Sequence, residues 1–200
     1  RRSRASPEVP RVLGGGESGK YLAWTMAGAG HRTAAIEQEL IGGSCPNVAC
    51  LPSKNIIHSA KVKSLAARAS AFGLNTGAIS TDMKAVQERK RRMVADLIKV
   101  HVDRYEGAGV ELIMGTARFV APKSVAVQRE GADTRVIWGE RVFLNVGTRA
   151  NLPDVPGLID AAPMTHVEAL DLDRVPAHLI VLGGGYVGLE LAQAMRRFGS

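Results

Sequence analysis

The two cysteines of this 200-residue chain, Cys45 and Cys50, lie five positions apart in a segment rich in glycine and proline. A disulfide between them would close so short a ring that loop entropy contributes only about 2 kcal/mol, which is little for a structural staple. Pro46 and Pro52 both disturb a regular first helical turn, so the backbone can bring the two sulfurs together. A nearby helix N-terminus and Lys54 would favour a thiolate. The spacing favours a redox-active pair, with two unrelated buried thiols as the alternative.

Metal binding is a poor explanation for the same two cysteines. They do not form a C-x-x-C half-site, and no nearby cysteine or histidine supplies the further ligands of a structural zinc site. Two cysteines are also too few for a secreted disulfide framework. We therefore expect no metal site.

Two further segments have the spacing G-x-G-x-x-G, in which each glycine has a separate task. The first permits a tight turn, the second lets a pyrophosphate approach the backbone, and the third lets helix and strand pack closely. The following helix N-terminus offers free N–H groups to the phosphates. The glycines concerned are Gly14, Gly16 and Gly19 in the first segment and Gly183, Gly185 and Gly188 in the second.

Glu37 supports a dinucleotide at the first of these turns. It ends a predicted strand downstream of Gly14, where a carboxylate accepts hydrogen bonds from an adenosine ribose. For an isolated match, a glycine-rich turn without function is the alternative. Two such turns predict two dinucleotides, which suits electron transfer between them.

The elements that position these motifs follow from apolar periodicity and from Gly, Pro and Asp turns. A strand at residues 9–13, a helix at 20–29 and a strand at 33–36 form a β-α-β unit, which demands a parallel sheet. Two more helices, from about residue 54 to 71 and over 82–106, precede five short strands that suggest an inserted antiparallel meander. These strands are predicted at 110–113, 117–120, 124–128, 135–138 and 141–146. A linker at 151–158, a strand at 179–182 and a helix at 189–198 follow.

The charge pattern argues against nucleic acid and membrane partners. The net charge is +7, and the densest basic run, Arg89 to Arg92, is predicted to be a solvated helix face without aromatic interleaving. No apolar run reaches the roughly 18 residues of a membrane span. The small, basic residues 1–6 are compatible with a transit-peptide remnant or with a cloning or gene-calling artefact, and no apolar segment follows them.

Residues 42–54, Gly-Gly-Ser-Cys-Pro-Asn-Val-Ala-Cys-Leu-Pro-Ser-Lys, resemble the signature of class I pyridine nucleotide-disulfide oxidoreductases. That family includes dihydrolipoamide dehydrogenase, glutathione reductase and mercuric reductase. The resemblance extends from about Val12 to Ser200 and keeps the family's order of motifs. Departures are Ser44 for Thr, Ala49 for Gly, Asn145-Val146 for Ala-Thr, and Pro10 and Arg11 in the first strand.

The resemblance implies a Rossmann-like FAD-binding domain at residues 1–150, with the inserted meander, and the start of an NAD(P)-binding domain at 151–200. Cys45 would be the interchange thiol and Cys50 the flavin-side charge-transfer thiolate. Lys54 would lie near flavin N5 and pair with Glu190. The implied FAD-binding residues are Gly14, Gly16, Gly19, Glu37, Ser44, Lys54, Ala117 and Gly147, and those for NAD(P)H are Gly183, Gly185, Tyr186 and Gly188.

The implied activity is electron transfer from NAD(P)H through FAD to the Cys45–Cys50 disulfide and on to a small-molecule disulfide, a protein disulfide or a metal ion. The departures look more like a mercuric-reductase-like branch than lipoamide dehydrogenase. The resemblance also implies a cytoplasmic homodimer whose catalytic histidine belongs to a C-terminal domain, so that this chain alone would be inactive. Two alternatives stay open: a flavoprotein that reduces a quinone or oxygen, and a non-catalytic nucleotide-binding fragment.

Overall fold

The computed structural model describes residues 11–200, so that Val9 and Pro10 of the predicted first strand, and residues 1–6, lie outside the described residues. The helices are α1 (Glu17–Gly28), α2 (Ser44–Asn47), α3 (Cys50–Ala66), α4 (Met83–Gly107), α5 (His166–Ala169) and α6 (Tyr186–Phe198). The strands are β1 (Arg11–Leu13), β2 (Ala34–Glu37), β3 (Glu111–Met114), β4 (Thr116–Ala121), β5 (Ser124–Gln128), β6 (Arg135–Trp138) and β7 (Val142–Leu144).

The described residues form two compact units that cut across the sequence. One holds the chain up to residue 47 together with 96–148, and the other holds 48–95 together with 149–200. The helix α4 runs from the second unit into the first. The functional domains assigned from the sequence, 1–150 and 151–200, stay a prediction.

A four-stranded parallel sheet forms the centre of the first unit, with strand order β3-β2-β1-β7. All three residues of β1 are buried, and Val12 pairs with Ala35 on one side and Phe143 on the other. Arg11 fits this interior because its Nε donates to the Trp138 carbonyl at 3.2 Å. The first strand therefore forms in spite of its charged residue, and it carries the glycine turn directly after Leu13.

The second sheet is an antiparallel meander of β4, β5 and β6 alone. The predicted five-stranded meander is thus wrong at both ends, because β3 and β7 join the parallel sheet. Short apolar strands have the same sequence pattern in a parallel and in an antiparallel sheet. β3 is parallel to β2 because the connection that leads to it includes the helix α4. The α/β class with an inserted antiparallel sheet is confirmed.

The second unit is helical and has its own core. α3 packs against α6, and the buried side chains come from α3, α4, α6 and the residue after α5: Ile56, Ala60, Met83, Leu170, Leu191, Ala194, Met195 and Phe198. The predicted strand at 179–182 is not formed, and Ile180 is 83% exposed. A strand needs a hydrogen-bonded neighbour, and every strand in the described part of the chain lies in the first unit.

The basic run from Arg89 to Arg92 is the solvated helix face that the sequence predicts at Arg89, Arg91 and Arg92, which are exposed, but not at Lys90. Lys90 is buried and donates to Asp171 Oδ1 at 2.7 Å and to the Leu170 carbonyl at 3.0 Å. Arg91 Nη2 donates to Asp171 Oδ2 at 3.2 Å, and Arg89 Nη1 donates to Asn55 Oδ1 at 2.7 Å. Three of these four cations therefore tie α4 to neighbouring segments of the same unit.

Among residues 11–200, no helix combines the length and the apolar character needed to cross a membrane.

Candidate functional site

The first glycine turn leaves β1 and enters α1 through a backbone that side chains would block. Gly14 has φ +95°, and a Cβ atom there would lie 2.1 Å from the Asn145 carbonyl oxygen. A Cβ atom on Gly19 would lie 2.3 Å from the carbonyl oxygen of Gly14. The spacing G-x-G-x-x-G is therefore required by packing at its first and third positions, and α1 begins at Glu17 with its free N–H groups directly beyond the turn.

Glu37, at the end of β2, holds this turn through its carboxylate. Oε2 accepts the Gly15 N–H at 2.6 Å, and Oε1 accepts the N–H groups of Glu39 at 2.9 Å and Leu40 at 3.1 Å. The backbone carbonyl of Glu37 accepts the Gly115 N–H at 2.8 Å. The structure thus places a fixed, negatively charged acceptor beside the first glycine turn.

The loop that precedes Cys45 packs onto the same turn. Gly43 has φ +81°, and its missing Cβ would lie 2.3 Å from the Cα of Gly16. Asn47 closes the loop by donating from Nδ2 to the carbonyls of Ile41 at 2.9 Å and Gly43 at 2.7 Å. The loop before Cys45 and the first glycine turn are therefore a single packed assembly within the first unit.

The two cysteines lie on different helices. Cys45 is half-buried within α2, and Cys50 is exposed as the first residue of α3. The interruption falls at Val48 and Ala49, where Ala49 has φ −131° and ψ −103°. The predicted irregularity is present, but not at the prolines: Pro52, for example, lies in the first turn of α3, where a missing N–H costs no helical hydrogen bond.

Lys54 and Glu190 form an ion pair within the second unit. Lys54 Nζ lies 2.5 Å from both Oε1 and Oε2 of Glu190, so the carboxylate is bound symmetrically. The two side chains are 56% and 39% exposed. An exposed pair of this kind contributes about 0–1 kcal/mol to folding.

The second glycine turn repeats the first in a looser form. Gly183 has φ +100°, and a Cβ atom on Gly188 would lie 3.3 Å from the Gly183 carbonyl oxygen and 3.1 Å from Val181 Cγ1. Gly185 precedes α6, which begins at Tyr186, and the Tyr186 ring is exposed. The helix N-terminus and the glycine backbone are available for phosphates, although no strand leads into the turn.

The other predicted flavin contacts are scattered around the first unit. Ser44 is exposed at the start of α2. Ala117 pairs with Val127 in the meander, next to the segment that hydrogen-bonds to Glu37. Gly147, with φ +69°, follows Asn145 after β7. The structure brings together Gly14, Gly16, Gly19, Glu37 and the loop before Cys45, and it describes Ser44, Ala117 and Gly147 without assigning them a contact to a ligand.

Three residues of this assembly were not predicted. Asn145 Nδ2 donates to the Gly14 carbonyl at 3.3 Å, and the Tyr105 oxygen would lie 3.3 Å from a Cβ atom on Gly15. Lys20 is buried, donates to Glu17 Oε1 at 2.6 Å, and has its Nζ 2.9 Å from Nε2 of His101. Only Lys20 could have been noticed in the sequence. It follows the third glycine of the motif directly, at a position where a helix normally buries an apolar side chain.

These residues fit an FAD dinucleotide. The first turn has a backbone that only glycine can adopt, a helix N-terminus for the pyrophosphate, and a carboxylate for the ribose. The buried hydroxyl of Tyr105, which has no hydrogen-bond partner in the described part of the chain, adds a polar group at the same place.

Residues 11–200 match the pyridine nucleotide-disulphide oxidoreductase family, and the chain belongs to that family. The family is one of flavin-dependent pyridine nucleotide oxidoreductases. The chain is 34% identical to dihydrolipoyl dehydrogenase of Bacillus subtilis (strain 168), with 94% of this chain and 41% of that protein aligned. It is 30% identical to mercuric reductase of Bacillus cereus, with 94% and 29% aligned.

A solved structure agrees with these relatives. The Cu(II) complex of the HOCl-induced flavoprotein disulfide reductase RclA from Escherichia coli superimposes with a TM-score of 0.81 at 31% identity, covering 98% of this chain and 41% of that one. The chain therefore spans about two fifths of the length of the dihydrolipoyl dehydrogenase and RclA chains.

Proposed function

We propose that this chain is the FAD- and disulfide-bearing part of an NAD(P)H-dependent oxidoreductase, with Cys45 and Cys50 as the redox pair. The observation that carries the proposal is the packing of Gly43 on Gly16, which fixes the loop before Cys45 against the turn for the FAD pyrophosphate. A nucleotide-binding fragment without redox chemistry would not need that loop to rest on its phosphate turn.

FAD is held by the first glycine turn in this proposal. Gly14, Gly16 and Gly19 admit the pyrophosphate, and Glu37 accepts a ribose hydroxyl. Ser44, Ala117 and Gly147 complete the predicted contacts. When bound, FAD would supply hydride chemistry, accepting two electrons from NAD(P)H and passing them to the cysteine pair.

The cysteines then carry the electrons to the acceptor. The Cys45 thiolate attacks one sulfur of an external disulfide, which releases one thiolate and leaves a mixed disulfide. The Cys50 thiolate attacks the Cys45 sulfur of the mixed disulfide, which releases the second thiolate and leaves the Cys45–Cys50 disulfide. Two electrons have then moved, and the two thiolates released take up protons from solvent.

Lys54 keeps a positive charge in the site, and Glu190 orients it through the ion pair. A cation close to the redox centre favours the thiolate form of a cysteine, because it stabilises the negative charge. NAD(P)H binds at Gly183, Gly185 and Gly188, with Tyr186 as a cover over the nicotinamide pocket. The full-length protein is expected to be a cytoplasmic homodimer.

The test is an anaerobic titration of the full-length protein with NADH and with NADPH. A long-wavelength thiolate–flavin charge-transfer band should develop after about two electrons per flavin, and it should be lost in Cys50→Ser. A bound flavin that is reduced without such a band in the wild type would contradict the assignment of the cysteine pair.

The acceptor is tested separately, because the relatives include both a dihydrolipoyl dehydrogenase and a mercuric reductase. Lipoamide, glutathione disulfide, Hg(II) and Cu(II) are offered to the reduced enzyme. A disulfide or metal-ion acceptor should require both cysteines. Undiminished turnover in the Cys45→Ser/Cys50→Ser double variant would instead indicate a quinone or oxygen acceptor.

A further inference from the structure

The hydroxyl group of Tyr105 is buried without a hydrogen-bond partner. The residue lies near the end of α4, is 0% exposed, and finds neither donor nor acceptor for its OH among residues 11–200. A buried hydroxyl without a partner is unfavourable. The ring alone is well packed, with its centroid 5.5 Å from that of Trp24 in an edge-to-face arrangement, so a phenylalanine would serve the core equally well.

This hydroxyl lies next to Gly15 of the first glycine turn. A Cβ atom on Gly15 would lie 3.3 Å from the Tyr105 oxygen and 3.1 Å from Glu37 Oε2, so all three groups meet at one point. Burial, together with the negative charge of Glu37, raises the pKa of Tyr105 to about 12. The hydroxyl therefore keeps its proton at neutral pH and can both donate and accept a hydrogen bond.

Glu37 cannot satisfy a ribose by itself. A carboxylate offers about four acceptor positions, and backbone N–H groups of Gly15, Glu39 and Leu40 occupy three of them. One position is left for a ligand. The ribose of adenosine presents two neighbouring hydroxyl groups, so the second needs another partner close to Oε2.

Other buried polar atoms without partners do not lie at this point. They are Arg11 Nη1, Trp24 Nε1 and Thr81 Oγ1. Of the four such atoms in the described residues, only the Tyr105 oxygen is among the nearest neighbours of a glycine of the first turn.

We propose that Tyr105 belongs to the adenosine-ribose subsite of the flavin site, where its hydroxyl pairs with the ribose hydroxyl that Glu37 has no free position to accept. This rests on the proposed function, because it takes the first glycine turn as the FAD site. Gly15 has no side chain at the point that lies 3.1 Å from Glu37 Oε2 and 3.3 Å from the Tyr105 oxygen, so that point is free for a ribose hydroxyl. Tyr105 is then a specificity-determining residue that distinguishes a ribose from a deoxyribose.

The experiment uses the full-length apoprotein, the variant Tyr105→Phe, and Tyr21→Phe as matched control, because Tyr21 is an exposed tyrosine on the neighbouring α1. FAD and an FAD analogue with 2′,3′-dideoxyadenosine are titrated by flavin fluorescence, which does not report on the NAD(P)H site. FAD should bind Tyr105→Phe roughly three- to tenfold more weakly than wild type, and Tyr21→Phe should not differ. The dideoxy analogue should bind wild type and Tyr105→Phe equally.

The melting temperature of the apoprotein is a second readout that does not involve the flavin. Because Tyr105→Phe removes a hydroxyl without a partner, the apoprotein should be at least as stable as wild type, whereas its stabilisation by FAD should be smaller. Equal FAD affinity in wild type and variant would overturn the proposal, and so would an equal loss for FAD and the dideoxy analogue. Wild-type apoprotein that binds no FAD would overturn the proposed function as well, so the two failures are distinguishable.

Discussion

Gly43 lies against Gly16 so closely that a Cβ atom on Gly43 would be 2.3 Å from the Gly16 Cα. The contact joins two motifs that are separated in the sequence, the loop before Cys45 and the first glycine turn. Real Cβ atoms do not approach a backbone atom so closely, so any side chain at position 43 must push the two motifs apart.

Gly43→Ala should therefore lower both stability and flavin content. Alanine in a left-handed conformation costs about 1–2 kcal/mol, and the collision with Gly16 adds to that. Gly30→Ala is the matched control, because Gly30 has φ +85° and no atom within 4 Å of its missing Cβ. Urea unfolding and the flavin-to-protein absorbance ratio are measured on both full-length variants. If Gly30→Ala and Gly43→Ala lose equal stability and both keep their flavin, the contact between Gly43 and Gly16 contributes neither to folding nor to flavin binding.

The Lys54–Glu190 pair should matter for redox chemistry more than for folding. Glu190→Gln keeps the shape of the side chain and removes its charge, and because the pair is exposed the free energy of unfolding should change by about 0–1 kcal/mol. Turnover should fall about tenfold, which corresponds to ~1.4 kcal/mol. The charge-transfer band should also shift if Lys54 influences the thiolate.

The exposed pair between Lys99 and Asp103 is the control for that measurement, since its atoms lie 2.6 Å apart on one helix. Asp103→Asn should leave turnover and spectrum unchanged. A Glu190→Gln enzyme with normal turnover and an unaltered spectrum would show that the ion pair has no part in the redox site.

Features that depend on the spacing of nearby residues can be predicted from the sequence. Gly14 has the tight-turn conformation and Gly19 the close packing that the motif predicts, and Glu37 ends β2, because turn, strand and helix are consecutive in the chain. The ligand contacts of these residues stay a prediction. The resemblance to the family was also sufficient for the chain's membership, which the match over residues 11–200 confirms.

Features that depend on contacts between distant residues could not be predicted. Arg11 looked unsuitable for a buried strand, and only the Trp138 carbonyl, 127 residues later, explains its burial. Lys90 was expected in solvent, but Asp171 binds it from another segment. Tyr105 belongs to no motif in the sequence, and the position of its hydroxyl close to Gly15 and Glu37 is visible only in the structure.

Asp171 should make the stability of the second unit depend on acid pH. The hydrogen bond from Lys90 holds the pKa of Asp171 below its ordinary value, and the charges of Lys90 and Arg91 act in the same direction. A carboxyl whose pKa is lower in the folded protein contributes stability that is complete above its unfolded pKa of about 4 and is lost as the pH falls through the folded pKa. At neutral pH the contribution is present in full.

Asp171→Asn should thus reduce the free energy of unfolding by about 1 kcal/mol at pH 7, a modest value because Asp171 is half exposed. The difference between variant and wild type should shrink below pH 4. Urea unfolding at pH 7, 5 and 3.5 measures it, with Asp103→Asn as the comparison. A difference that is constant over this range would mean that the charge of Asp171 is not the cause.

Asn145 should affect the FAD site and not the NAD(P)H site. Its backbone carbonyl lies where a Gly14 Cβ would be, and its Nδ2 donates to the Gly14 carbonyl at 3.3 Å. Asn145→Ala removes only the amide, so Gly14 and Gly16 lose a polar neighbour while the backbone N–H of residue 145 keeps its bond to the Leu13 carbonyl. The backbone of the glycine turn should become less rigid, because alanine cannot replace the hydrogen bond from Asn145 Nδ2 to the Gly14 carbonyl.

The expected result is a three- to tenfold weaker affinity for FAD, equivalent to about 0.7–1.4 kcal/mol, with a change in unfolding free energy of about 1 kcal/mol or less. NADPH and NADH should bind as in wild type, because the second glycine turn belongs to the other unit. Asn151→Ala, at an exposed position after β7, is the control and should change neither affinity. Equal losses of FAD and NAD(P)H affinity in Asn145→Ala would indicate general destabilisation, in which case the amide does not act on the glycine turn specifically.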